Sequence, residues 1–272
     1  MYPAIQLGGV TISVYALLIV AGIAAGCIAM RPFAASFGIE KEDALYATLF
    51  GAIGAALCGK LAYVLVSLPG AKDLSMETLA EFFQHGYVYY GGLAGAVLGV
   101  WIYCRAFRLA FLPHLDGTVV ALPLIHAFGR VGCFFAGCCY GVRYDGPLAV
   151  TFRNSPVAPN GVGLFPVQLL EAALNLGLFA CFCAVFRSRD RAGRVSCTGL
   201  YLCAYAVIRF FVEFLRGDTA RGLWLGLSTS QWCSVAALAA GLWLLLRRRK
   251  TDAGPSMQSR GRVYCFKVIL RI

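Results

Sequence analysis

The sequence predicts an all-α polytopic membrane protein of about seven transmembrane helices, with the N-terminus outside and the C-terminus cytoplasmic. Three observations predict it. Of 272 residues, 60% are apolar and 14% charged, where globular chains run about 45–50% and about 25%. The apolar residues fall in unbroken runs of about 20, the length that crosses a bilayer. The basic residues crowd to one side of those runs. This composition excludes disorder, coiled coil and collagen. The 12 cysteines lie mostly inside apolar runs, which excludes a small disulfide scaffold.

The first run, 9–30, contains no charge, and its first basic neighbour, Arg31, comes after it. A cleaved signal peptide carries basic residues ahead of its apolar core, so this run is read as a retained span. The second, 44–68, holds Lys60, and the third, 88–107, opens near Tyr90-Gly91-Gly92. The fourth, 117–134, contains Pro123 and reaches Arg130 near its far end. Proline is tolerated in a membrane helix when neighbours satisfy the freed carbonyl. The fifth, 167–186, starts with Gln168 and Glu171; the sixth, 197–215, carries Arg209 and Glu213; the seventh is 228–246. Residues 1–250 form one membrane domain, followed by a basic cytoplasmic tail, 251–272.

Orientation comes from charge. With the N-terminus outside, sixteen of the 24 Lys and Arg lie on the inner side and six on the outer, with Lys60 and Arg209 inside spans. Positive loops stay in the cytoplasm. The net charge of +11 therefore orients the chain and meets anionic membrane lipids; a nucleic-acid partner is not expected. Of the outer segments, 76–83 has the apolar spacing of a short interfacial helix. The segment 130–166, rich in Gly, Pro and aromatics, is expected to shape a site at the outer face.

Lys60, Glu171, Arg209 and Glu213 sit within or beside apolar runs, where a charge costs about 2.5–3.5 kcal/mol at mid-bilayer and so faces a partner or a polar cavity. Arg209, Glu213 and Arg216, at i, i+4 and i+7, share one helical face, as do His126, Arg130 and Cys133. Two readings stand. Arg209–Glu213 is an internal ion pair between packed helices, or these arginines line a cationic cavity for an anionic headgroup, because guanidinium forks match phosphate oxygens. His126 is either a satisfied packing residue or a working one.

The segment 126–141 is the densest in chemistry-bearing residues. Its cysteines, Cys133, Cys138 and Cys139, have a C-x4-C-C spacing that matches none of the usual zinc patterns, so no metal is expected. A disulfide or redox role stays open, because the outer side is oxidising. Cys27, Cys58, Cys104, Cys181, Cys183, Cys197, Cys203 and Cys233 read as small apolar packing residues. Gly129, Gly132, Gly137 and Gly141 imply close approach by another helix or a lipid headgroup.

The stretch Gly129-Arg130-Val131-Gly132-Cys133-Phe134-Phe135-Ala136-Gly137, with Tyr140-Gly141 after it, resembles the signature loop of the bacterial prolipoprotein diacylglyceryl transferase family. Ser13-Val14-Tyr15-Ala16, Gly59-Lys60-Leu61-Ala62-Tyr63-Val64, Tyr90-Gly91-Gly92-Leu93-Ala94-Gly95, Pro166-Val167-Gln168-Leu169-Leu170-Glu171-Ala172 and Arg209-Phe210-Phe211-Val212-Glu213-Phe214-Leu215-Arg216 resemble it in the same order. The resemblance covers roughly residues 9–246.

It implies a multi-pass enzyme of the bacterial cytoplasmic membrane that acts in lipoprotein biosynthesis, with its active site toward the outer leaflet. Such an enzyme moves diacylglycerol from phosphatidylglycerol to the lipobox cysteine of a preprolipoprotein, forming a thioether and releasing glycerol phosphate, without a cofactor. Arg130 and Arg209 resemble the family's essential arginines, Tyr15 its motif tyrosine, and Gln168, Glu171 and Glu213 the surrounding polar support. Lys60, Gly91, Gly92, Gly137 and Arg216 fall in the matching motifs and join the substrate-binding candidates.

The chain departs from the family where Tyr90 replaces the usual His, where Cys133 replaces Asn and where Cys138 replaces an acidic residue. A thiol of pKa about 8.5 is only a few per cent thiolate at neutral pH and needs a base or a cationic field. His126 or Tyr90 is left to take that proton. The alternatives are a related lipid-headgroup transferase, or a membrane thiol–disulfide oxidoreductase using Cys133, Cys138 and Cys139.

The charge count yields a topology test. A reporter fused after Lys250 should be active only in the cytoplasm, and one inserted near Asn160 only outside. Activity of both on one side would remove an odd number of spans.

Overall fold

The computed structural model describes residues 4–7, 10–68, 75, 86–187, 195–218 and 223–248. The interfacial helix expected at 76–83 and the tail 251–272 lie outside them. The described residues form seven long helices in the predicted order: α1 (Val14–Met30), α2 (Lys41–Ser67), α3 (Tyr89–Ala106), α4 (Phe111–Ala136), α5 (Val167–Phe186), α6 (Cys197–Val212) and α7 (Thr229–Arg248). Six are long and apolar enough to cross a membrane. The seventh, α3, dilutes its apolar residues with glycine, tyrosine and Arg105. Three two-stranded antiparallel pairs decorate the bundle: β1 (Ala4–Leu7) with β2 (Val10–Ser13), β3 (Val150–Thr151) with β4 (Gly163–Leu164), and β5 (Leu223–Trp224) with β6 (Leu227–Ser228).

The second helix starts three residues early, at Lys41, and three further boundaries differ from the sequence reading for local reasons. The first helix starts at Val14 rather than near residue 9, because the β-branched run Val10-Thr11-Ile12 pairs as a strand and Ser13 stays extended as the N-cap. The fourth starts at Phe111 rather than 117; Pro113 lies in the first turn, where no backbone N–H is needed. The sixth tightens into a 3-10 turn at Glu213–Leu215, and Arg216 is extended, with φ −87° and ψ 138°. Arg216 therefore leaves the helical face it was expected to share with Arg209 and Glu213. It bridges to Gly141 and forks onto Asp218 at 2.8 and 2.6 Å.

Packing divides the bundle into two ends. At one end Met30, Phe33, Phe37, Val100, Tyr103, Val120, Phe182, Phe186 and Tyr201 form the main apolar core. The polar groups there are spent on structure. Asp116 of α4 accepts from the Thr198 amide and hydroxyl (2.9 and 2.6 Å) and the Ser196 hydroxyl (3.1 Å), which fixes the start of α6. Asp43 accepts from Tyr103 at 2.9 Å. The other end gathers the C-terminal turns of α4 and α6 with the N-terminal turns of α3, α5 and α7, and the polar side chains collect there.

Helix α2 packs chiefly on α3, α1 on α4, α4 on α5, and α6 on α7. The α2–α3 pair is backbone against backbone. A Cβ on Gly54 would meet the Gly95 carbonyl, one on Gly95 the Gly54 carbonyl, and one on Gly99 the Phe50 carbonyl. The opposite face of α2 presents Ile53, Leu57, Leu61 and Leu65, all exposed, as suits a stripe facing lipid. Small residues are the means by which lipid-embedded helices gain contact, since lipid supplies no hydrophobic drive between them. Gly95→Ala should therefore push α2 and α3 apart and cost about 1–3 kcal/mol as overpacking does, seen as a lower thermal midpoint in detergent. An unchanged midpoint would mean that the pair is loosely held.

Candidate active site

The polar end is built around Arg130, six residues before the end of α4. Its Nη2 lies 3.1 Å from Glu171 Oε1 on α5, and its Nε donates to His126 Nε2 at 3.2 Å. Glu171 is 1% exposed and also accepts from Tyr205 of α6 at 3.0 Å. Because Arg130 has only protons to offer, His126 Nε2 must accept, which puts the ring proton on Nδ1, toward the Tyr201 hydroxyl at 3.4 Å. Tyr89 stacks on the imidazole with centroids 6.2 Å apart, and Tyr205 packs at 4.8 Å. His126 is thus enclosed by aromatics and accepts from Arg130 along one edge.

A second arginine stands across the cluster. Arg209 pairs with Glu213 within its own helical face and donates from Nη2 to the Ser230 hydroxyl of α7 at 3.0 Å. Both arginines act electrostatically on Glu171. Ser228 donates to Glu213 at 2.8 Å, and the Gln231 carbonyl oxygen caps the Ser228 amide at 2.9 Å. In this cluster the buried donors Arg209 Nη1 and Gln231 Nε2 have no partner among the described residues. Orphaned buried donors are rare and call for an explanation. The Tyr90 hydroxyl reaches Ser230 and Cys233 of α7.

The third part is the turn that ends α4. Gly137, at φ 70°, closes the helix in the left-handed conformation, and Cys139 is also left-handed at φ 56°. This double turn folds Cys138 and Cys139 back toward Cys133, so the three sulfurs lie within 4.8 Å of one another. Hydrogen bonds from the Cys133 and Cys138 thiols, with the fields of Arg216 and Arg130, pull the Cys139 thiol below its ordinary pKa. Gln168 donates to the Cys138 carbonyl at 2.8 Å, and Tyr15 lies beside Gly132 in electrostatic range of Cys133, Cys138 and Arg130.

The remaining sequence-predicted residues divide. Arg216 sits at the margin, hydrogen-bonded to Cys139 and paired with Asp218. Gly137 is the helix-ending turn and accepts from Ser155 at 3.3 Å. Gly91 and Gly92 are closely packed: a Cβ on Gly91 would meet Ala62, and one on Gly92 the Tyr87 hydroxyl. Lys60 donates to the Gly86 carbonyl at 3.0 Å, with Tyr63 beneath it at 5.6 Å.

Sequence reasoning missed Tyr89, Tyr201, Tyr205, Ser230 and Gln231. A signal for two of them was present: Tyr201, Tyr205, Arg209 and Glu213 recur every four residues, on one helical face.

The fold and site define a polytopic membrane protein with an arginine-centred polar cluster at one end of its helix bundle. Residues 3–247 match the prolipoprotein diacylglyceryl transferase family, and the chain belongs to that family of transferases. It is 35% identical over 239 residues to the phosphatidylglycerol–prolipoprotein diacylglyceryl transferase of Clostridium tetani, covering 88% of this chain and 94% of that one. The protein of the same name from Gloeobacter violaceus is 32% identical, over 92% of this chain and 95% of its own.

Glu171 supplies the carboxylate that Arg130 needs. Glu171→Ala should strand that buried cation and destabilise the fold by about 3–5 kcal/mol. Glu171→Gln, which keeps an acceptor for Arg130 and Tyr205 but not the counter-charge, should recover only part of the loss. Thermal midpoints in detergent distinguish the two; equal midpoints for Glu171→Ala and wild type would show that Arg130 finds another partner.

Proposed function

We propose that this protein moves diacylglycerol from phosphatidylglycerol to the lipobox cysteine of a prolipoprotein in the bacterial cytoplasmic membrane, with its polar end at the outer leaflet. Residues 1–250 act as one transferase domain with 251–272 as its cytoplasmic tail, and the basic residues at the inner end meet anionic headgroups. The observation that carries the reading is the unspent donor on Arg209. A buried guanidinium with Nη1 unpartnered, facing a cluster that holds a second guanidinium, fits an incoming phosphate oxygen, and Gln231 Nε2 offers a further donor.

The acceptor sulfur attacks the terminal glyceryl carbon of the donor lipid. The carbon–oxygen bond to phosphate breaks, and the phosphate oxygen keeps the electron pair as glycerol phosphate leaves. Charge grows on that oxygen, and preorganised Arg130 and Arg209 stabilise it in a site shielded from water. His126 and Glu171 act as positioning residues for Arg130, and Glu213 and Ser230 do the same for Arg209. An apolar groove of about 240 Å³, lined by Ala206, Val207, Phe210, Phe211, Val235 and Leu238, lies between α6 and α7, the helices that carry Arg209 and Ser230, as suits the tails of a lipid.

Incubating purified protein with phosphatidylglycerol and a lipobox peptide should add diacylglycerol to the peptide, read by mass spectrometry. Arg130→Lys should fold yet lose about 10²–10³ in rate, because a point charge cannot make the bidentate contact. Wild-type turnover by well-folded Arg130→Ala would overturn the assignment.

A further inference from the structure

We propose that Cys133, Cys138 and Cys139 form a three-sulfur site for one thiophilic divalent cation of the zinc class, whose fourth position takes the acceptor cysteine. The site itself stands on the geometry of this chain; the identity of the fourth ligand rests on the function proposed above.

The sulfurs already lie within 4.8 Å of one another. Tetrahedral zinc, with bonds of about 2.3 Å to sulfur, sets them about 3.8 Å apart, a difference that small side-chain rotations close. What makes the cluster is costly backbone. Cys138 and Cys139 are neighbours in sequence, and successive side chains ordinarily diverge. Here Gly137 at φ 70° and Cys139 at φ 56° turn the chain back on itself. A left-handed cysteine is strained and persists only where its surroundings over-determine it. Those surroundings are present: the Cys138 amide donates to the Cys133 carbonyl at 3.1 Å, Gln168 holds the Cys138 carbonyl at 2.8 Å, and Gly141 pairs with Arg216. Strain that gathers three thiols implies a use for them together.

Charge and chemistry agree. Three thiolates around a dication leave a single negative charge, with Arg130 one turn from Cys133 and Arg216 hydrogen-bonded to Cys139. Three protein ligands with an open fourth position are the pattern of a catalytic rather than a structural zinc site. The proposed reaction alkylates a thiol, and the thiol must first lose its proton. His126 Nε2 is already spent on Arg130, whereas a cation deprotonates a coordinated thiol outright. The acceptor thiol binds the metal and gives its proton to water. The bound sulfur then forms the bond to the glyceryl carbon as the carbon–oxygen bond breaks and glycerol phosphate leaves with the electron pair. The neutral thioether is a poor ligand and departs, which resets the site.

The test uses full-length protein in detergent, and its metal-binding arm is read without activity. Purified wild type should carry one Zn²⁺ per chain, and Cys133→Ser, Cys138→Ser and Cys139→Ser should each carry none. Loading the stripped protein with Co²⁺ should give sulfur-to-cobalt charge-transfer absorption. A lipobox peptide should shift that absorption, while the same peptide with serine in place of cysteine should not. Stripping wild type with a chelator should abolish lipidation, and Zn²⁺ should restore it, so a misfolded variant does not decide the matter. Absence of bound metal, or metal content unchanged in the serine variants, would overturn the site. Absorption that ignores the peptide thiol, or full lipidation by stripped protein, would overturn the fourth-ligand role. A cobalt spectrum that responds to the peptide while no diacylglycerol is ever transferred would support the metal site and sink the transferase reading instead.

Discussion

A guanidinium cannot be carried into a lipid-embedded bundle without a carboxylate to meet it, and the pairing of Arg130 with Glu171 is the contact around which the polar end is arranged. It joins α4 to α5 at 3.1 Å. Every other group in the cluster then follows from satisfaction. The surrounding lipid accepts no hydrogen bonds, so each polar atom must find its partner inside the protein. His126 takes the Arg130 Nε proton, Tyr205 spends its own on Glu171, and Tyr201 faces the far side of the imidazole. Arg209 repeats the logic with Glu213 and Ser230, and stops one donor short. That unspent Nη1, with Gln231 Nε2, stands out in an otherwise satisfied network.

Stability and chemistry are kept at opposite ends. The aromatic and aliphatic core lies where α5 ends and α6 begins, and Asp116 there ties the start of α6 to α4. The helices are pinned at that end, and their other ends carry the charged cluster. Glycine makes the arrangement compact: the backbones of α2 and α3 touch through Gly54 and Gly95, and Gly141 and Gly217 bring the loop after α4 against the chain leaving α6, with the Gly217 amide donating to the Tyr140 carbonyl at 3.0 Å. That last contact is what draws Arg216 out of its helix and sets it beside Cys139.

The sequence by itself determined the class of fold, because crossing a bilayer demands long apolar runs and those are local properties of the chain. It also exposed the arginines, glutamates and His126, since a charge in such a run has to be accounted for. The shared face of His126 and Arg130 was legible for the same reason: helical spacing is local. Only the tertiary structure decided which charges meet. Glu171 reaches Arg130 because two helices pack with particular faces together, and no spacing within either helix encodes that. The face proposed for Arg209, Glu213 and Arg216 failed at its last member, because a backbone bridge to Gly141 outcompeted one more helical turn. The C-x4-C-C spacing concealed a compact sulfur cluster, because two left-handed residues bring together side chains that sequence separation alone would send apart.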